Sequence, residues 1–470
     1  MKEADSLLAV LVKYWIYFIL AFALCATIIC IAGYDPYGRG FSLNLAVIAF
    51  ALLIGAGCLF LPKLLAKSNE KLTLTAGLAI ANIMMAYFLL SFWTVPVSDY
   101  SGIFQMGIDM AEGSYDINAE IPYGYGYLYN WQTGMAFLES LVFRLIRPSS
   151  IPLKIINVIL INSTLLLTYL TVKRLAGKRR AAFSFLMMCL FYPMLVSVGQ
   201  LSNQNVAAPL ILILILLIRS KRFLWAGVIV PIINFVRPLG PILIIAVAVL
   251  LLYRLLGRRQ QWREICRQAA AFAIPLILIT VALNAAMIRL GYASGPVSNA
   301  TLPYFKFYQG LFIEEWNNPA TKIEEFGGDV ERYNSWTRDR VIEAYTQRPC
   351  TTIAHNFKKM ALLLGMYDWK FAYSYNQIFP EFNSLRVSAG VAFGWAEYLV
   401  LVILCLIGFG AYHRRHGVDF VQILFIGMVS VYFFIEAWPD YRYDFYSLMF
   451  IFASYQKKWR ISVARLKKIL

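Results

Sequence analysis

The sequence predicts an all-α polytopic membrane protein that crosses the bilayer about twelve times. Of its 470 residues, 60% are hydrophobic, and the mean hydropathy is +0.62. Soluble globular domains contain roughly 45–50% apolar residues, so this composition indicates a chain that lies mostly in lipid. A second observation is the recurrence of apolar runs long enough for helices along most of the chain.

Twelve apolar segments form the predicted membrane-spanning set, although residues 205–254 can be divided differently. The first has no small-residue cleavage site and is expected to be a transmembrane helix or a signal anchor. The segments lie near 9–33, 42–65, 73–95, 151–172, 181–199, 205–219, 222–236, 239–254, 268–289, 390–411, 419–437 and 444–457.

The formal net charge of +17 is concentrated in short links such as "KRLAGKRR", "RSKR" and "YHRRHG". If the twelve helices alternate in direction, every basic link falls on the same side. By the positive-inside rule that side is the cytoplasm, and both termini lie there. The expected location is the plasma (cytoplasmic) membrane, with membrane lipid as a partner and no nucleic acid.

The alternation divides the chain into five regions. Residues 1–95 form N-terminal helices, 96–150 an outer loop with interfacial helices, 151–289 further helices, 290–389 a large outer loop, and 390–470 the last helices with a basic tail. The polar residues outside the basic links are concentrated in the two outer loops. We therefore expect the functional groups to face outward.

The first outer loop contains five carboxylates between residues 96 and 131, and no Lys or Arg. Asp99 follows an apolar run, where it can cap a new helix or act as a general base on a hydroxyl group. Asp109 and Glu112 are predicted on one face of an amphipathic helix that ends at Gly113. Most acids in such a helix simply face solvent. Asp109 and Glu112 are nevertheless candidates for a second functional carboxylate beside Asp99.

Tyrosines follow in "PYGYGYLYNW". Tyr123, Tyr125 and Tyr127, together with Tyr100, suit either an aromatic belt or a surface for sugar rings. Residues 133–147 are apolar but too short to span the bilayer, so they are predicted to lie in the interface.

Cations and amides are expected on the same side. Arg237 and Arg442 lie next to apolar runs, where they can snorkel to the interface or bind a phosphate. Asp440 and Asp444 flank Arg442 and are alternative ion-pair partners for it. Asn203 and Gln204 open a helix, where their amides can cap it or hold a sugar hydroxyl.

No cofactor is expected, although a divalent metal stays open. The three histidines and seven cysteines form no metal-ligand spacing, and there is no Walker or GxGxxG sequence.

Six motifs, in their order along the chain, resemble those of the GT-C glycosyltransferases. They are "SDY", "PYGYGYLYNWQTGMAFLESLVFRL", "LSNQNVAAPLILILILL", "NFVRPLGPILIIAVAVLLL", "YQGLFIEEWNNP" and "PDYRYDFYSLMFIF". The resemblance is strongest to bacterial members of the polyprenyl-phosphate-sugar-dependent protein mannosyltransferase-like family (family 39), and it covers most of the chain from about residue 90. It implies a GT-C-like fold with Asp99 as the catalytic base. A cation such as Arg237 or Arg442 would neutralise the departing lipid phosphate.

The implied partners are a polyprenyl-phosphate-linked sugar donor and an extracytoplasmic acceptor, which is a glycan, a lipid or a protein hydroxyl. Transfer would invert the anomeric carbon. Residues 1–70 have no counterpart in the resemblance, and Asp99 is followed by Tyr100 where close relatives often have a glutamate.

Two other functions fit the same pattern. Twelve helices with both ends inside also suit a transporter or a lipid-linked glycan flippase. A glycan polymerase or ligase with a polyprenyl-pyrophosphate donor would likewise have a large outer loop.

Overall fold

All regular elements of the described chain are helices. The computed structural model describes residues 2–33, 41–65, 69–91, 95–96, 99–118, 124–257, 262–297, 301–312, 319–365 and 385–456. Within these ranges there is no strand.

The first half of the chain begins with three long helices and continues with shorter ones in the first polar stretch. Its helices are α1 (Lys2–Gly33), α2 (Phe41–Leu64), α3 (Glu70–Ser91), α4 (Asp99–Glu112), α5 (Tyr125–Leu128), α6 (Thr133–Leu145), α7 (Ser150–Ala176), α8 (Lys178–Leu190), α9 (Tyr192–Leu195) and α10 (Asn203–Arg219).

In the second half, apolar helices lie on both sides of the second polar stretch. It contains α11 (Phe223–Val236), α12 (Gly240–Gly257), α13 (Trp262–Arg289), α14 (Phe305–Leu311), α15 (Pro319–Glu325), α16 (Val330–Gln347), α17 (Pro349–Gly365), α18 (Leu385–His416), α19 (Phe420–Phe434) and α20 (Tyr446–Ala453). Short 3-10 helices lie at Asn130–Gln132, Val196–Gly199 and Pro439–Asp444.

The predicted number of crossings is only partly supported. Five helices are long and apolar enough to span a bilayer, and the bent pair Lys178–Leu190 and Tyr192–Gly199, with an angle of 60°, would make a sixth. The apolar helices α10, α11 and α19 have 17, 14 and 15 residues, fewer than the ~20 that a bilayer core requires. The described chain is therefore a helical membrane protein, but twelve spans are not established.

Helix ends follow ordinary capping chemistry. The Ser149 side chain accepts a hydrogen bond from the backbone of Ile151 before α7, and Ser202 does the same for Gln204 before α10. Gly113 ends α4 with φ +75°, a left-handed conformation that glycine adopts without strain. This end point agrees with the sequence prediction.

One end of the helical bundle collects the described basic links. Lys173 at the end of α7 and Lys178 at the start of α8 both pair with Glu70 of α3, at 2.5 and 3.1 Å. Arg219 at the end of α10 and Arg254 at the end of α12 line one cavity. We call this the basic end.

The opposite end collects α4 to α6 and the polar stretch around α14 to α16. Here α4 buries Ile103, Met106 and Met110 in a cluster with residues of α6. The backbone of α6 approaches α11 so closely that a Cβ added at Gly134 would lie 1.7 Å from the carbonyl oxygen of Phe235. We call this the aromatic end.

Candidate functional site

Asp99 is the first residue of α4, where the helix dipole favours a carboxylate. The residue is accessible to solvent although protein surrounds it on most sides. Removal from bulk water raises the pKa of the Asp99 carboxyl above its usual range; Lys306 opposes this shift, and Glu436 adds to it. A carboxylate of this kind is more basic than an ordinary aspartate and can still be reached from outside.

Two tyrosines pack beside Asp99. The Tyr125 hydroxyl donates a hydrogen bond to the backbone oxygen of Asp99 at 3.0 Å. A Cβ added at Gly102 would lie 2.7 Å from the Tyr125 ring, so glycine is what permits this contact with the first turn of α4. The Tyr129 ring packs against the Tyr125 ring at an interplanar angle of 39°, with 4.9 Å between the ring centroids. Burial, and then the Asp99 charge, raise the pKa of both phenols, so both stay protonated donors.

The charges that act on Asp99 come from distant parts of the chain. Lys306, in α14, forms an ion pair with Glu436, which follows α19. The backbone N–H of Glu436 donates to the carbonyl oxygen of Lys306 at 2.8 Å, which fixes the two segments together. Asp99, Lys306 and Glu436 are hereafter the Asp99 cluster.

The Lys306 ammonium has one N–H donor that no described residue accepts. Its ammonium donates to a Glu436 carboxylate oxygen and, at 3.2 Å, to the amide oxygen of Gln309. A lysine ammonium has three N–H donors, so one is uncommitted within the described residues. The Lys306 side chain is 31% exposed, whereas that of Glu436 is 9% exposed. Lys306 can therefore meet an anion from solvent.

Arg237 lies in a second buried cluster. Its guanidinium donates to one carboxylate oxygen of Asp444 through Nε at 3.1 Å and Nη2 at 2.8 Å, and to the side-chain oxygen of Asn203 at 2.7 Å. The Tyr432 hydroxyl donates to the same Asp444 oxygen at 2.6 Å. We call these four residues the Arg237 cluster. Asp444 thus pairs with Arg237 rather than with its sequence neighbour Arg442.

Arg442 is fully buried, with 0% exposure. Its guanidinium lies over the Tyr398 ring, 4.2 Å from the centroid. Arg237 is only 8% exposed, and its guanidinium lies 5.4 Å from the centroid of Tyr441. In this structure both predicted phosphate ligands face protein groups.

Asp109 and Glu112 lie toward the far end of α4. Ten residues separate Asp109 from Asp99, about 15 Å along a helix that rises about 1.5 Å per residue. The Asp109 carboxylate accepts a hydrogen bond from Gln105 at 2.8 Å, and Glu112 is exposed. These positions separate both acids from Asp99.

The remaining predicted residues fall into two groups. Tyr100 lines a small recess with Lys154, and the backbone oxygen of Tyr127 accepts a hydrogen bond from Thr301 at 2.8 Å. Asn203 and Gln204 are buried at the start of α10, where Ser202 is the cap. Tyr123 lies outside the described residues.

Sequence reasoning did not identify Lys306, Glu436 or Glu139. Lys306 is a single cation in the aromatic segment "YFKFYQG", and this contrast was the available signal. Glu139 of α6 is 2% exposed, and its Oε2 atom has no hydrogen-bond partner within the described part of the chain. Burial raises the pKa of Glu139 to about 8, so this carboxyl is neutral at pH 7.

Among the described residues, no group of three or more His, Cys, Asp or Glu side chains is arranged to hold a metal ion. Comparison with known proteins found no family model, no curated protein and no solved structure that matches the chain.

Proposed function

We propose that this protein is a membrane glycosyltransferase that moves a sugar from a polyprenyl-phosphate donor to an extracytoplasmic hydroxyl acceptor, with inversion. The observation that carries the proposal is the Asp99 cluster, in which the charge of a partly exposed lysine acts on an accessible carboxylate whose pKa is raised by removal from bulk water. The proposal assigns general-base catalysis to this carboxylate and phosphate binding to this lysine.

In this mechanism Asp99 takes the proton from the acceptor hydroxyl. The acceptor oxygen then bonds to the anomeric carbon while the bond between that carbon and the phosphate oxygen breaks. The lipid phosphate leaves with the bonding electron pair, and negative charge develops on it. Stabilising that charge requires a cation close to the reacting atoms.

We assign the phosphate contact to Lys306, because Arg237 and Arg442 already face protein groups. We assign the Arg237 cluster a structural role instead. Asp444 is the last residue of the 3-10 helix Pro439–Asp444, so the ion pair fixes the segment that follows Glu436. In this account Arg237 and Arg442 position residues 435–446.

The sugar would lie against the tyrosines beside Asp99. Tyr125 and Tyr129 are protonated phenols on an aromatic surface that continues to Trp131 and Phe305. Aromatic faces stack on the apolar faces of sugar rings, and phenols donate to their hydroxyls. Asn203 is committed to Arg237, so we do not assign it a sugar contact.

The positive-inside rule supports a cytoplasmic basic end and an outward aromatic end at the plasma membrane. This orientation suits a donor whose prenyl chain stays in lipid while its phosphate reaches the outer interface. Acceptors on that side include cell-wall glycan, glycolipid and protein hydroxyls.

The main test is sugar transfer by the Asp99→Asn variant. Membranes or proteoliposomes that contain the full chain receive polyprenyl-phosphate donors with a radiolabelled sugar, and released polyprenyl phosphate is measured. Loss of a general base typically lowers rates by about 10²–10⁴-fold, so we expect a loss of that size. In the wild type, the rate should rise with pH through the raised pKa of Asp99.

Asp339→Asn is the matched control, because Asp339 is an exposed carboxylate on α16. Equal rates for Asp99→Asn and the wild type would remove Asp99 as the base. A wild-type protein that cleaves no polyprenyl-phosphate sugar, across a panel of hexose and pentose donors, would contradict the proposed activity.

The Lys306 assignment has its own test. Lys306→Gln should lower the transfer rate by about 10²-fold, the usual cost of one group that stabilises transition-state charge, while Lys306→Arg should keep part of it. Lys322→Gln is the control, since Lys322 is also ion-paired but lies on α15. Unchanged transfer by Lys306→Gln would return the phosphate contact to the arginines.

One observation favours a transporter as a second candidate. Glu397 is buried within the long apolar helix α18, and its carboxylate accepts a hydrogen bond at 2.6 Å from the backbone N–H of Tyr192, where α8 and α9 meet at the 60° bend. Broken helices and buried carboxylates mark transport sites in other folds. A transporter would move the intact donor across a vesicle without cleaving it, and Glu397→Gln rather than Asp99→Asn would stop it.

A further inference from the structure

A cavity lies at the basic end, where α7, α10 and α12 end and α19 begins. Its volume is about 240 Å³, far above the roughly 10–15 Å³ that one water requires. The cavity is remote from the Asp99 cluster, because it lies at the opposite ends of α10 and α19. Nothing in the proposed transfer reaction uses it.

The polar lining of the cavity is mainly cationic. Arg219 and Arg254 line it together with the carboxylate of Asp419. Asp419 is committed to its own helix and its neighbour, since it accepts hydrogen bonds from the backbone of Gln422 at 3.2 Å and from the Tyr412 hydroxyl. The Arg219 side chain is exposed, and its charge acts on Asp419, but it forms no hydrogen bond or close ion pair with a side chain of the described residues. Its five N–H donors are therefore available to a ligand.

The rest of the lining is apolar. Leu175, Ile215 and Ile218 supply aliphatic side chains, and Phe420 supplies an aromatic ring. A site with guanidinium groups and an aliphatic wall suits an anion that carries hydrocarbon. The planar arginine fork pairs with carboxylate or phosphate oxygens through two parallel hydrogen bonds, and phosphate is the anionic group that most membrane lipids carry.

We propose that this cavity binds the phosphate of an anionic amphiphile, with Arg219 and Arg254 on the phosphate and the Leu175–Ile215–Ile218 wall on the acyl chain. Basic pockets between membrane helices bind lipid headgroups by the same chemistry. This proposal does not depend on glycosyl transfer, and the site would stabilise the protein whichever reaction the aromatic end supports.

The test measures thermal unfolding of the full chain, purified in a non-ionic detergent and stripped of lipid. Short-chain phosphatidic acid, short-chain phosphatidylcholine and inorganic phosphate are titrated separately. We expect phosphatidic acid to raise Tm most. Its phosphate carries more negative charge than that of phosphatidylcholine and is not covered by a choline group. Stabilisation by inorganic phosphate at equal concentration would identify a soluble phosphate as the ligand, whereas stabilisation by phosphatidic acid alone would identify a lipid.

The double variant Arg219→Gln/Arg254→Gln should require about tenfold or more phosphatidic acid for the same rise in Tm, equivalent to at least about 1.4 kcal/mol of binding free energy. The control is Arg174→Gln/Arg179→Gln, which removes the same charge from two exposed arginines outside the cavity. Equal weakening in the two double variants would show a general surface-charge effect and would overturn the proposal.

A second measurement uses only the wild-type protein. A phosphatidic acid with a photoreactive diazirine in its acyl chain should label peptides that contain Ile215, Ile218 or Phe420, and excess unlabelled lipid should suppress the labelling. Labelling spread evenly over the lipid-facing helices would overturn the assignment of the cavity, even if the arginine variants fail to fold.

Discussion

The two ends of the helical bundle treat charge in opposite ways. At the basic end, Glu70 pairs with Lys173 and Lys178, and the side chains of Glu70 and Lys173 are 31% and 34% exposed. At the aromatic end, the side chains of the Arg237–Asp444 pair are 9% and 0% exposed. Water screens the first set of charges, whereas the second depends on its protein partners for the solvation that burial removed.

Stability alone does not explain why the aromatic end buries so many ionisable side chains. Buried ion pairs are often no more stable than apolar residues of similar size, so stability by itself does not require them. The aromatic end nevertheless buries several ionisable residues, including Glu139, Arg237, Glu436, Arg442 and Asp444. Buried groups of this kind concentrate at functional sites, which is consistent with a site at this end.

The largest effect that would test this comparison is expected at Asp444. Asp444→Ala leaves Arg237 buried without its carboxylate, which should cost about 3–5 kcal/mol of unfolding free energy. Thermal unfolding in detergent would measure the loss. Asp444→Asn retains a hydrogen-bond acceptor and should unfold at a temperature between those of wild type and Asp444→Ala.

The double variant Arg237→Met/Asp444→Leu removes both charges. It should recover much of the stability that Asp444→Ala loses, because no buried charge is left uncompensated. A double variant as unstable as Asp444→Ala would mean that the segment requires the ion pair itself rather than neutral packing.

A smaller effect, dependent on pH, is expected at Glu139. Its pKa is about 8 in the folded protein and about 4.5 in an unfolded chain, so the folded state retains a proton that the unfolded state releases between these values. Wild-type stability should therefore fall as pH rises from 5 to 8, by at most about 1.4 kcal/mol per pH unit, and level off above pH 8. Tm measured across this range, beside Glu139→Gln, checks it, since the variant should lack this contribution to the slope. Identical slopes would show that Glu139 is ionised when folded.

The smallest effect is expected at the basic end. Glu70→Gln removes an acceptor from two lysines that remain hydrated, so its Tm should be close to that of the wild type. A loss as large as that of Asp444→Ala would show that the two ends do not differ in this way.

The helices were largely predictable from the sequence, but the crossings were not. Apolar runs at 222–236 and 239–254 correspond to α11 and α12, and the end of α4 at Gly113 follows from local chemistry. The run at 181–199 is broken into α8 and α9, where Pro193 starts a new turn. Hydropathy alone measures apolar character, and it does not report a bend or a helix too short to span.

The candidate site was predictable only where its chemistry is local. The position of Asp99 beside tyrosines could be inferred, because these residues are close in sequence. The partner of Arg237 is 207 residues away, and that of Lys306 is 130 residues away. A neighbouring acid therefore looked like the natural partner of Arg442, but packing among distant helices gave Asp444 to Arg237.

Tyr441 touches both clusters of the aromatic end. Its ring lies under the Arg237 guanidinium, and its hydroxyl donates to Glu436 at 3.4 Å. Mutational effects at Arg237 and at Lys306 should consequently not be additive, although the two cations share no direct contact among the described residues. The effect of replacing either cation should therefore depend on whether the other is present, because Arg237 contacts the Tyr441 side chain directly and Lys306 contacts it through Glu436.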